Sequence, residues 1–390
     1  MSREGNLDGL FKPRLDIAPR RNYHDFFLHK RTSIPAPNAG ARLNLLMNGL
    51  EEIERVHPAA GIPGGEVVVD YTERDAASLP GRLWIGDQRP HLVAAGSRRA
   101  LAVIPDSKAG GLVPITIGSL ADGETARRES QLIVGKKLAE ELHPVTSPAF
   151  DPDDGSLYVT RSGGRGDRLP VTLFRIDGKG ELSEVSGDIT NPTAIAFDRN
   201  GQMFVTSRMD GTVYRVTAFH EAVAFASDLG IATGLAFDSK GRMYVGDRSG
   251  VIYRVSGIGE AQEFAHLEPS VSAYHLAFDS DDYLYVTGPT VTSYDVVTRI
   301  DPSGEASTFF RGLGRPQGLA FDREGNLYVA ASLGGRRGIV RITPDAQRAE
   351  LFVAGMNLVG LAFSVSGEMI VATNDSVYSL ALGIQGALLH

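Results

Sequence analysis

The feature that most constrains the fold of this chain is an internal repeat in its last two thirds. A segment of the form Leu-Ala-Phe-Asp-x-x-Gly-x-Leu-Tyr-Val returns in six copies, whose phenylalanines are 47, 40, 41, 43 and 42 residues apart. These phenylalanines are Phe150, Phe197, Phe237, Phe278, Phe321 and Phe363. A period of this length, sustained over six copies, predicts an array of equal structural units.

Each unit has the pattern of four antiparallel strands. The apolar run ending in Ala-Phe predicts a buried inner strand, and Asp-x-x-Gly predicts a hairpin turn in which the glycine takes positive φ. Tyr-Val or Phe-Val begins a second strand, and alternating segments such as 251–256 and 261–267 predict the third and fourth strands. Four short strands in about forty residues are typical of a propeller blade. We therefore predict an all-β chain with a six-bladed β-propeller over residues 136–388.

The two ends of the array indicate how the ring closes. The sixth unit ends with residues 376–382 and lacks a fourth strand, whereas residues 136–143, just before the first unit, resemble one. Pairing between these two segments would remove both exposed edges of the array. We therefore predict that strand 136–143 closes the ring.

Aspartates follow the marker phenylalanines in five of the six copies. They recur too regularly to form one catalytic site, and aspartate at a turn commonly accepts hydrogen bonds from nearby backbone N–H groups. We predict this structural role for Asp151, Asp198, Asp238, Asp279 and Asp322.

The repeat pattern resembles that of the NHL-repeat and gluconolactonase/regucalcin-like six-bladed propellers. The resemblance implies a ligand site at one end of the central channel, where gluconolactonase-like enzymes hold a divalent metal such as calcium. Its Glu, Asn and Asp ligands come from the position four residues before the inner-strand aromatic. In this chain that position is occupied by Thr146, Thr193, Thr233, Tyr274, Gln317 and Val359. None is a carboxylate, the ligand that a hard cation prefers, so we expect no metal and no cofactor.

The region before the repeats has a second pattern. Residues 51–120 consist of short alternating segments broken by glycine and proline, which predicts a small β-sandwich. Pro58, Gly61, Gly64 and Gly65 precede a valine-rich strand, and this arrangement resembles the opening turn of IPT/TIG immunoglobulin-like domains. The resemblance implies an N-terminal Ig-like domain before the propeller.

Charged residues follow the Tyr-Val pairs of the repeats. Arg208 and Arg248 occupy the same position in neighbouring units, and Arg161 comes from the unit before them. Such arginines can clamp a carboxylate or a phosphate with paired hydrogen bonds. The predicted ligand-binding residues are Arg161, Arg208, Arg248, Tyr274, Gln317 and Asn374.

Two alternatives to an anion site remain open at this stage. In the first, Asp210 and Asp247 neutralise the arginines in ion pairs between blades, which are commoner than binding sites. In the second, Asp247 and His275 form a catalytic base. A lone Asp or His more often completes a turn, and nothing in the spacing of these two residues requires catalysis.

Composition and charge limit the function further. The chain has no cysteine, which excludes disulfides, cysteine nucleophiles and Cys-ligated zinc. A formal net charge of −8 argues against nucleic acid as a partner, and no apolar run is long enough to predict a membrane span. The first residues lack the apolar stretch of a secretory signal, so we expect a cytoplasmic protein, with an extracellular location open if a leader has been removed.

Residues 1–50 form a predicted N-terminal arm. Six Lys/Arg and two Asp lie between residues 12 and 31, so this arm is basic whereas the whole chain is acidic. Its aromatic residues Tyr23, Phe26 and Phe27 add an apolar contact surface, which predicts docking to the acidic body or to a second copy. Docking to a second copy would give a homo-oligomer held by the arm, and the alternative to docking is a disordered tail.

We therefore predict a non-catalytic binding or assembly module whose partner is a protein or a small anionic ligand. The alternative is a metal-dependent hydrolase of the gluconolactonase (lactonase) type with a rebuilt site. The first prediction rests on the missing carboxylates at the expected metal position, and the second rests on the family resemblance.

Overall fold

The computed structural model describes residues 52–72, 82–107, 109–118, 130–164, 168–292 and 295–387, and the predicted arm of residues 1–50 lies outside them. All the regular elements of this described part are β-strands, and it contains no helix with the length and apolarity needed to cross a membrane. The prediction of an all-β chain is confirmed. The first eight strands are β1 Glu52–His57, β2 Ala60–Gly61, β3 Glu66–Thr72, β4 Leu83–Ile85, β5 His91–Ala95, β6 Arg99–Val103, β7 Gly111–Ile117 and β8 Ser130–Val134.

The remaining strands form six four-stranded blades, as the repeat predicts. Blade 1 contains β10 Ala149–Phe150, β11 Leu157–Thr160, β12 Leu173–Ile176 and β13 Leu182–Ser186. Blade 2 contains β14 Pro192–Phe197, β15 Met203–Ser207, β16 Thr212–Val216 and β17 Ala222–Ala226. Blade 3 contains β18 Ala232–Phe237, β19 Met243–Asp247, β20 Val251–Gly257 and β21 Glu260–His266.

The second half of the ring completes the set. Blade 4 contains β22 His275–Phe278, β23 Leu284–Thr287, β24 Asp295–Ile300 and β25 Ala306–Gly314. Blade 5 contains β26 Leu319–Phe321, β27 Leu327–Leu333, β28 Arg336–Ile342 and β29 Ala349–Ala354. Blade 6 contains β30 Leu358–Phe363, β31 Glu368–Thr373, β32 Val377–Ala381 and, from the other end of the array, β9 Lys136–Ala139.

Blade 6 joins the two ends of the propeller. Its outer strand β9 runs antiparallel to β32, with Lys137 opposite Tyr378 and Ala139 opposite Val377. This strand ends at Ala139, four residues earlier than the sequence pattern indicates. The chain nevertheless stays attached beyond it, because the backbone N–H of Leu142 donates to the carbonyl of Asp375 over 2.9 Å.

The repeated aromatic residues pack one blade against the next. The tyrosine or phenylalanine of a second strand meets, edge to face or tilted, the marker phenylalanine of the following blade. The pairs are Tyr158–Phe197, Phe204–Phe237, Tyr244–Phe278, Tyr285–Phe321 and Tyr328–Phe363, with ring centroids 4.8–5.6 Å apart. In blade 6 the second-strand position is Ile370, which belongs to the apolar cluster against which Phe150 of blade 1 packs. The repeat therefore encodes its own contacts between blades.

The predicted turn role of the aspartates is confirmed by their hydrogen bonds. Oδ1 of Asp322, for example, accepts from the backbone N–H groups of Glu324 and Asn326 over 3.0 and 2.8 Å. The same two bonds form at Asp198, Asp238 and Asp279. In the sixth copy a serine replaces the aspartate, and the hydroxyl of Ser364 accepts from the N–H of Glu368 over 2.9 Å.

Strands β1 to β8 form two sheets that share one apolar core. Their orders are β1-β3-β6-β5 and β2-β8-β7-β4. Val67, Val69 and Tyr71 of the first sheet are fully buried in the same cluster as Ile115 and Leu132 of the second. The second sheet includes β8, which lies beyond residue 120, so this sandwich extends further along the chain than the pattern of residues 51–120 indicates. The IPT/TIG resemblance itself stays a prediction.

The sandwich is joined edge to edge to blade 5. Strand β2 lies parallel to the outer strand β29, with Gly61 opposite Ala354, and the N–H of Ile62 donates to the carbonyl of Ala354 over 2.9 Å. Nη2 of Arg336 donates to the carbonyl oxygens of His57 and Glu66 over 3.1 and 2.9 Å. These contacts make the sandwich a continuation of the blade 5 sheet.

Candidate functional site

The candidate site lies on the face of the propeller where inner strands begin and second strands end. Pro192 at the start of β14 is opposite Ser207 at the end of β15, and Ala232 is opposite Asp247 in blade 3. We call this the upper face. All six predicted ligand-binding residues lie at or next to these strand ends.

The residues four before each inner-strand phenylalanine, where the family resemblance implies metal ligands, form hydrogen bonds between blades. Oγ1 of Thr146 donates to the carbonyl of Thr193 over 2.6 Å, and Oγ1 of Thr193 donates to the carbonyl of Ala232 over 3.1 Å. Oγ1 of Thr233 accepts from the backbone N–H of Tyr274 over 3.0 Å. Blades 1 to 4 are therefore linked in sequence by three threonine hydroxyls.

The same ring continues through blades 5 and 6. Nε2 of Gln317 donates to the carbonyl of Leu358 over 3.3 Å, and the backbone N–H of Gly318 donates to the carbonyl of Val359 over 3.0 Å. The ring returns to blade 1 where Leu361 donates its N–H to Oγ of Ser147 over 3.3 Å. Polar groups of this ring therefore hold the blades together.

A divalent cation does not fit this ring. Its members supply three hydroxyls, one amide and one phenol but no carboxylate, and the threonine hydroxyls already bind backbone groups of the next blade. Within the described ranges, no group of three or more His, Cys, Asp or Glu side chains has the arrangement of a metal site. The donor set thus differs from the one that the family resemblance implies.

The two catalytic candidates, Asp247 and His275, are not hydrogen-bonded to each other. The carboxylate of Asp247 accepts from the backbone N–H groups of Ile231 and Ser249 over 2.8 and 3.1 Å and from the hydroxyl of Ser249. His275 is fully buried, its Nε2 has no hydrogen-bond partner, and burial lowers its pKa to about 3. An imidazole with this pKa is a weak base at neutral pH, and Asp247 has the contacts of a turn residue.

Arg208 and Arg248 are neighbours, as their equivalent positions predict. Arg208 is half-buried, and this burial together with the positive charge of Arg248 lowers the pKa of its guanidinium. Its Nη2 donates to the carbonyl of Gly163 over 3.3 Å, and Nε of Arg248 donates to the carbonyl of Ser270 over 3.2 Å. Both guanidinium groups are therefore positioned by backbone carbonyls.

The predicted neutralising ion pairs do not form. Asp210 accepts from the hydroxyl of Tyr214 over 2.6 Å and from the N–H of Thr212, whereas Asp247 makes the turn contacts given above. No carboxylate of the described residues forms an ion pair with Arg208 or Arg248. The two positive charges are thus close enough to interact, and neither has a protein counter-charge from this part of the chain.

Two further polar groups belong to the two segments that Arg208 contacts, residues 161–163 and Asn191. Nε of Arg161 is buried and has no hydrogen-bond partner, and neither has Oδ1 of Asn191, whose side chain is also buried. The carbonyl of Asn191 accepts from the N–H of Arg208 over 3.3 Å, and Oγ of Ser162 donates to the carbonyl of Pro192 over 2.5 Å. The sequence pattern missed Asn191, although an Asn-Pro pair directly before an inner strand indicates a turn at this face.

The other predicted site residues belong to different parts of the upper face. The hydroxyl of Tyr274 donates to the carbonyl of Glu268, and burial is the main cause that raises its pKa to about 12. Asn374 in blade 6 is exposed, and its carbonyl lies 3.1 Å from Nδ1 of His143. Of the predicted residues, Arg208 and Arg248 are close to each other, and Arg161 is adjacent to the segment that Arg208 contacts. Neither Gln317 nor Asn374 contacts these arginines.

Blade 5 carries residues that the sequence pattern did not single out. A cavity of about 360 Å³ at the upper face is lined by Arg315, Gln317, Ser332, Arg337 and Asn357, among others. Ser332 occupies the position of Arg208 and Arg248, so the arginines here come from other elements, Arg315 from the loop before β26 and Arg337 from strand β28. The Leu-Gly-Gly-Arg-Arg segment 333–337 lengthens one hairpin, and this insertion is the sequence feature that could have indicated a site in blade 5.

Comparison with known proteins gives matches among solved structures. Regucalcin from Agrobacterium tumefaciens, described as a calcium-binding protein, is 18% identical with a TM-score of 0.53 over 65% of this chain and 95% of that chain. A gluconolactonase from Xanthomonas campestris is 15% identical, with a TM-score of 0.50 over 63% and 88% of the two chains. An auxiliary nutrient binding protein from Bacteroides thetaiotaomicron is 14% identical, with a TM-score of 0.50 over 85% and 98%.

At these identities the likeness shows the fold and not the activity. No protein-family model matches the chain, and no curated protein sequence does. The predicted resemblance to gluconolactonase- and regucalcin-like propellers is thus confirmed for the fold. The similar structures include both enzymes and binding proteins, so the function has to be argued from the residues of this chain.

Proposed function

We propose that this protein is a binding module that holds a small anionic ligand at the upper face of its propeller, between blades 2 and 3. The observation that carries the proposal is the pair of adjacent guanidinium groups, Arg208 and Arg248, without a carboxylate partner from the described residues. Each binds a backbone carbonyl through one nitrogen, so other N–H donors of each guanidinium stay available for an oxyanion.

The electrostatics of the pair favour a carboxylate or a phosphate. Arg208 is half-buried whereas Arg248 is exposed, and the two like charges repel one another, so an anion bound to both offsets that repulsion. Arginine binds both anions through two parallel N–H bonds. Nε of Arg161 is an unpartnered donor and Oδ1 of Asn191 an unpartnered acceptor, and both can form hydrogen bonds with a hydroxyl or amide group of the same ligand.

Ligand screening by thermal shift and calorimetry tests this proposal. A panel of phosphates, mono- and dicarboxylates and their neutral amides should contain anions that raise the melting temperature, whereas the amides should have no effect. We expect Arg208→Gln and Arg248→Gln each to weaken binding by about tenfold or more, since each removes a charge-assisted pair of hydrogen bonds.

Arg215→Gln is the matched control. It lies in the same blade, opposite Phe204, towards the end of β16 that is remote from Arg208. Binding should be unchanged in this variant. The absence of any anion-dependent shift in the parent protein, or equal losses in Arg208→Gln and Arg215→Gln, would reject the site.

A lactonase-like hydrolase is the second candidate function, because similar solved structures include a gluconolactonase. This candidate requires a site different from the threonine-rich ring. Metal content measured by elemental analysis, combined with lactone hydrolysis before and after chelation, distinguishes the two functions. Lactone turnover that chelation abolishes would favour the hydrolase, whereas anion binding without turnover favours the binding module.

A further inference from the structure

The hairpin between β27 and β28 of blade 5 is longer than its equivalent in blade 2. In blade 2 the pairing ends at Ser207 opposite Thr212, two residues after the valine of the repeat. In blade 5 it continues to Leu333 opposite Arg336, four residues after the equivalent valine. The turn consists of Gly334 and Gly335, which both have positive φ, a conformation that glycine adopts at low cost.

Neighbouring elements hold this hairpin from two sides. The outer strand of blade 4 pairs with it, with Leu313 opposite Leu333 and Gly314 opposite Ser332. On the other side Arg336 donates to two carbonyl oxygens of the sandwich. Successive side chains of a strand point to opposite faces, so Arg337 faces away from the side that Arg336 uses.

The cavity of about 360 Å³ lies at the base of this hairpin, and Arg337 lines it. Arg315, from the loop between blades 4 and 5, lines the same cavity together with Gln317 and Asn357. The volume is within the range of small-molecule sites. Small residues on the walls, such as Ala330 and Gly338, leave the space that the guanidinium groups border.

Asp295 is the carboxylate that contacts the backbone of this region, and it does not neutralise these arginines. Its Oδ1 accepts from the N–H and hydroxyl of Thr290 over 2.9 and 2.7 Å. Its Oδ2 accepts from the backbone N–H of Arg315 over 3.2 Å, and Asp295 forms no ion pair with the Arg315 guanidinium. No described carboxylate forms an ion pair with Arg315 or Arg337.

We propose that this cavity is a second binding site, for a small molecule that carries an oxyanion, and that it is separate from the Arg208–Arg248 pair. Arg315 and Arg337 bind the anionic group, and the side-chain oxygens of Gln317 and Asn357 accept hydrogen bonds from hydroxyl or amide groups of the same ligand. Leu358 supplies an apolar contact on the cavity wall. Because the hairpin also holds the sandwich, a bound ligand adds contacts at the junction of the two parts.

Calorimetric titration of the full chain with inorganic phosphate and with succinate tests the proposal, and succinamide serves as the neutral probe. At least one anion should bind at millimolar concentration or below, and the two anions distinguish a phosphate site from a carboxylate site. Arg315→Gln and Arg337→Gln should each weaken that binding by about tenfold. Arg337→Lys should restore it only in part, because lysine lacks the paired N–H donors.

Arg348→Gln is the control, since Arg348 is exposed near the other end of β28 and β29 and does not line the cavity. Arg315 and Arg337 are exposed, so we expect the Arg315→Gln and Arg337→Gln variants to fold. An unchanged melting temperature without ligand checks this. The double variant Arg208→Gln/Arg248→Gln separates the two sites. The second site is overturned if the double variant abolishes binding and Arg337→Gln leaves it intact. It is also overturned if neither phosphate nor succinate binds. The second result does not decide the site at Arg208 and Arg248, which is tested with a wider panel of anions.

Discussion

His275 occupies a position that is small in every other blade. The equivalent residues one after the metal-like position are Ser147, Ala194, Gly234, Gly318 and Gly360. At Gly318 a Cβ would lie 2.6 Å from Oγ of Ser147, so the inner strands of blades 5, 6 and 1 approach too closely for a larger residue. The buried imidazole has an unpartnered Nε2, and burial makes protonation of this ring a further cost in free energy.

We expect His275 to make the protein less stable in acid. Its pKa is about 3 when folded, against an ordinary value of 6.5, so between these pH values only the unfolded chain binds the proton. The free energy of unfolding therefore decreases as the pH falls from 6.5 towards 3, by up to about 1.4 kcal/mol per pH unit from this residue. Urea unfolding of the parent protein and His275→Leu over this interval measures the contribution.

The stability advantage of the parent over the leucine variant should shrink or reverse in acid. His266→Leu is the control for the loss of a histidine, because the His266 side chain is exposed whereas that of His275 is buried. Parallel curves for the parent and His275→Leu would contradict the role assigned to the buried imidazole.

At the scale of elements, the ring depends on one strand that comes from the opposite end of the array. Strand β9 gives blade 6 its fourth strand and leaves neither end of the propeller unpaired. Ala139 is buried in the cluster that also contains Leu157 of blade 1 and Val377 of blade 6. The strand therefore contributes both backbone pairing and side-chain packing at the seam.

Replacement of residues 136–139 by four glycines should open this seam. Each glycine in a strand costs about 0.5–1 kcal/mol, so the direct loss is about 2–4 kcal/mol. Because the ends then separate more easily, we also expect a broader urea transition with a smaller m-value. Four glycines at residues 261–264, within the outer strand of blade 3, provide the control with an intact ring. Equal loss and equal cooperativity in the two variants would contradict the importance of closure.

On the scale of the whole molecule, the sandwich and the propeller share a sheet edge. Gly65 lies so close to blade 5 that a Cβ would be 2.6 Å from the carbonyl oxygen of Ala354, and at Gly61 the same distance would be 2.9 Å. Ile62 is buried in the apolar cluster of blades 5 and 6. The close backbone approach and the two hydrogen bonds from Arg336 hold the sandwich and blade 5 in one arrangement.

Arg336→Ala should loosen the sandwich from blade 5. The change leaves two carbonyl oxygens without their donor, at a cost of about 1–3 kcal/mol. Hydrogen exchange should become faster in residues 52–72, while the blades far from the junction keep their protection. Arg337→Ala, one residue further on, lies on the opposite side of the strand from the sandwich and is the control. Unchanged exchange in residues 52–72 of Arg336→Ala would show that strand pairing alone holds the junction.

The candidate site could be predicted only in part. The equivalent positions of Arg208 and Arg248 indicated that they lie side by side, because the repeat maps residue number onto position in the ring. Their lack of a counter-charge was not predictable, since Asp210 and Asp247 have hydrogen-bond partners that depend on exact turn geometry. Arg315 and Arg337 lie outside the repeat positions, so no period brought them together.

The amino-acid sequence by itself determined the six blades, their turns and the contacts between them, because each of these is local or repeats at a fixed interval. The tertiary structure decided what the period does not contain. Gly61 and Gly65 were interpreted as part of a turn, yet both lie against Ala354, which is remote from them in the chain. The cavity of blade 5 likewise depends on a longer hairpin that two distant elements hold in place. Contacts between remote, non-repeated segments leave no periodic signal, and only the folded chain shows them.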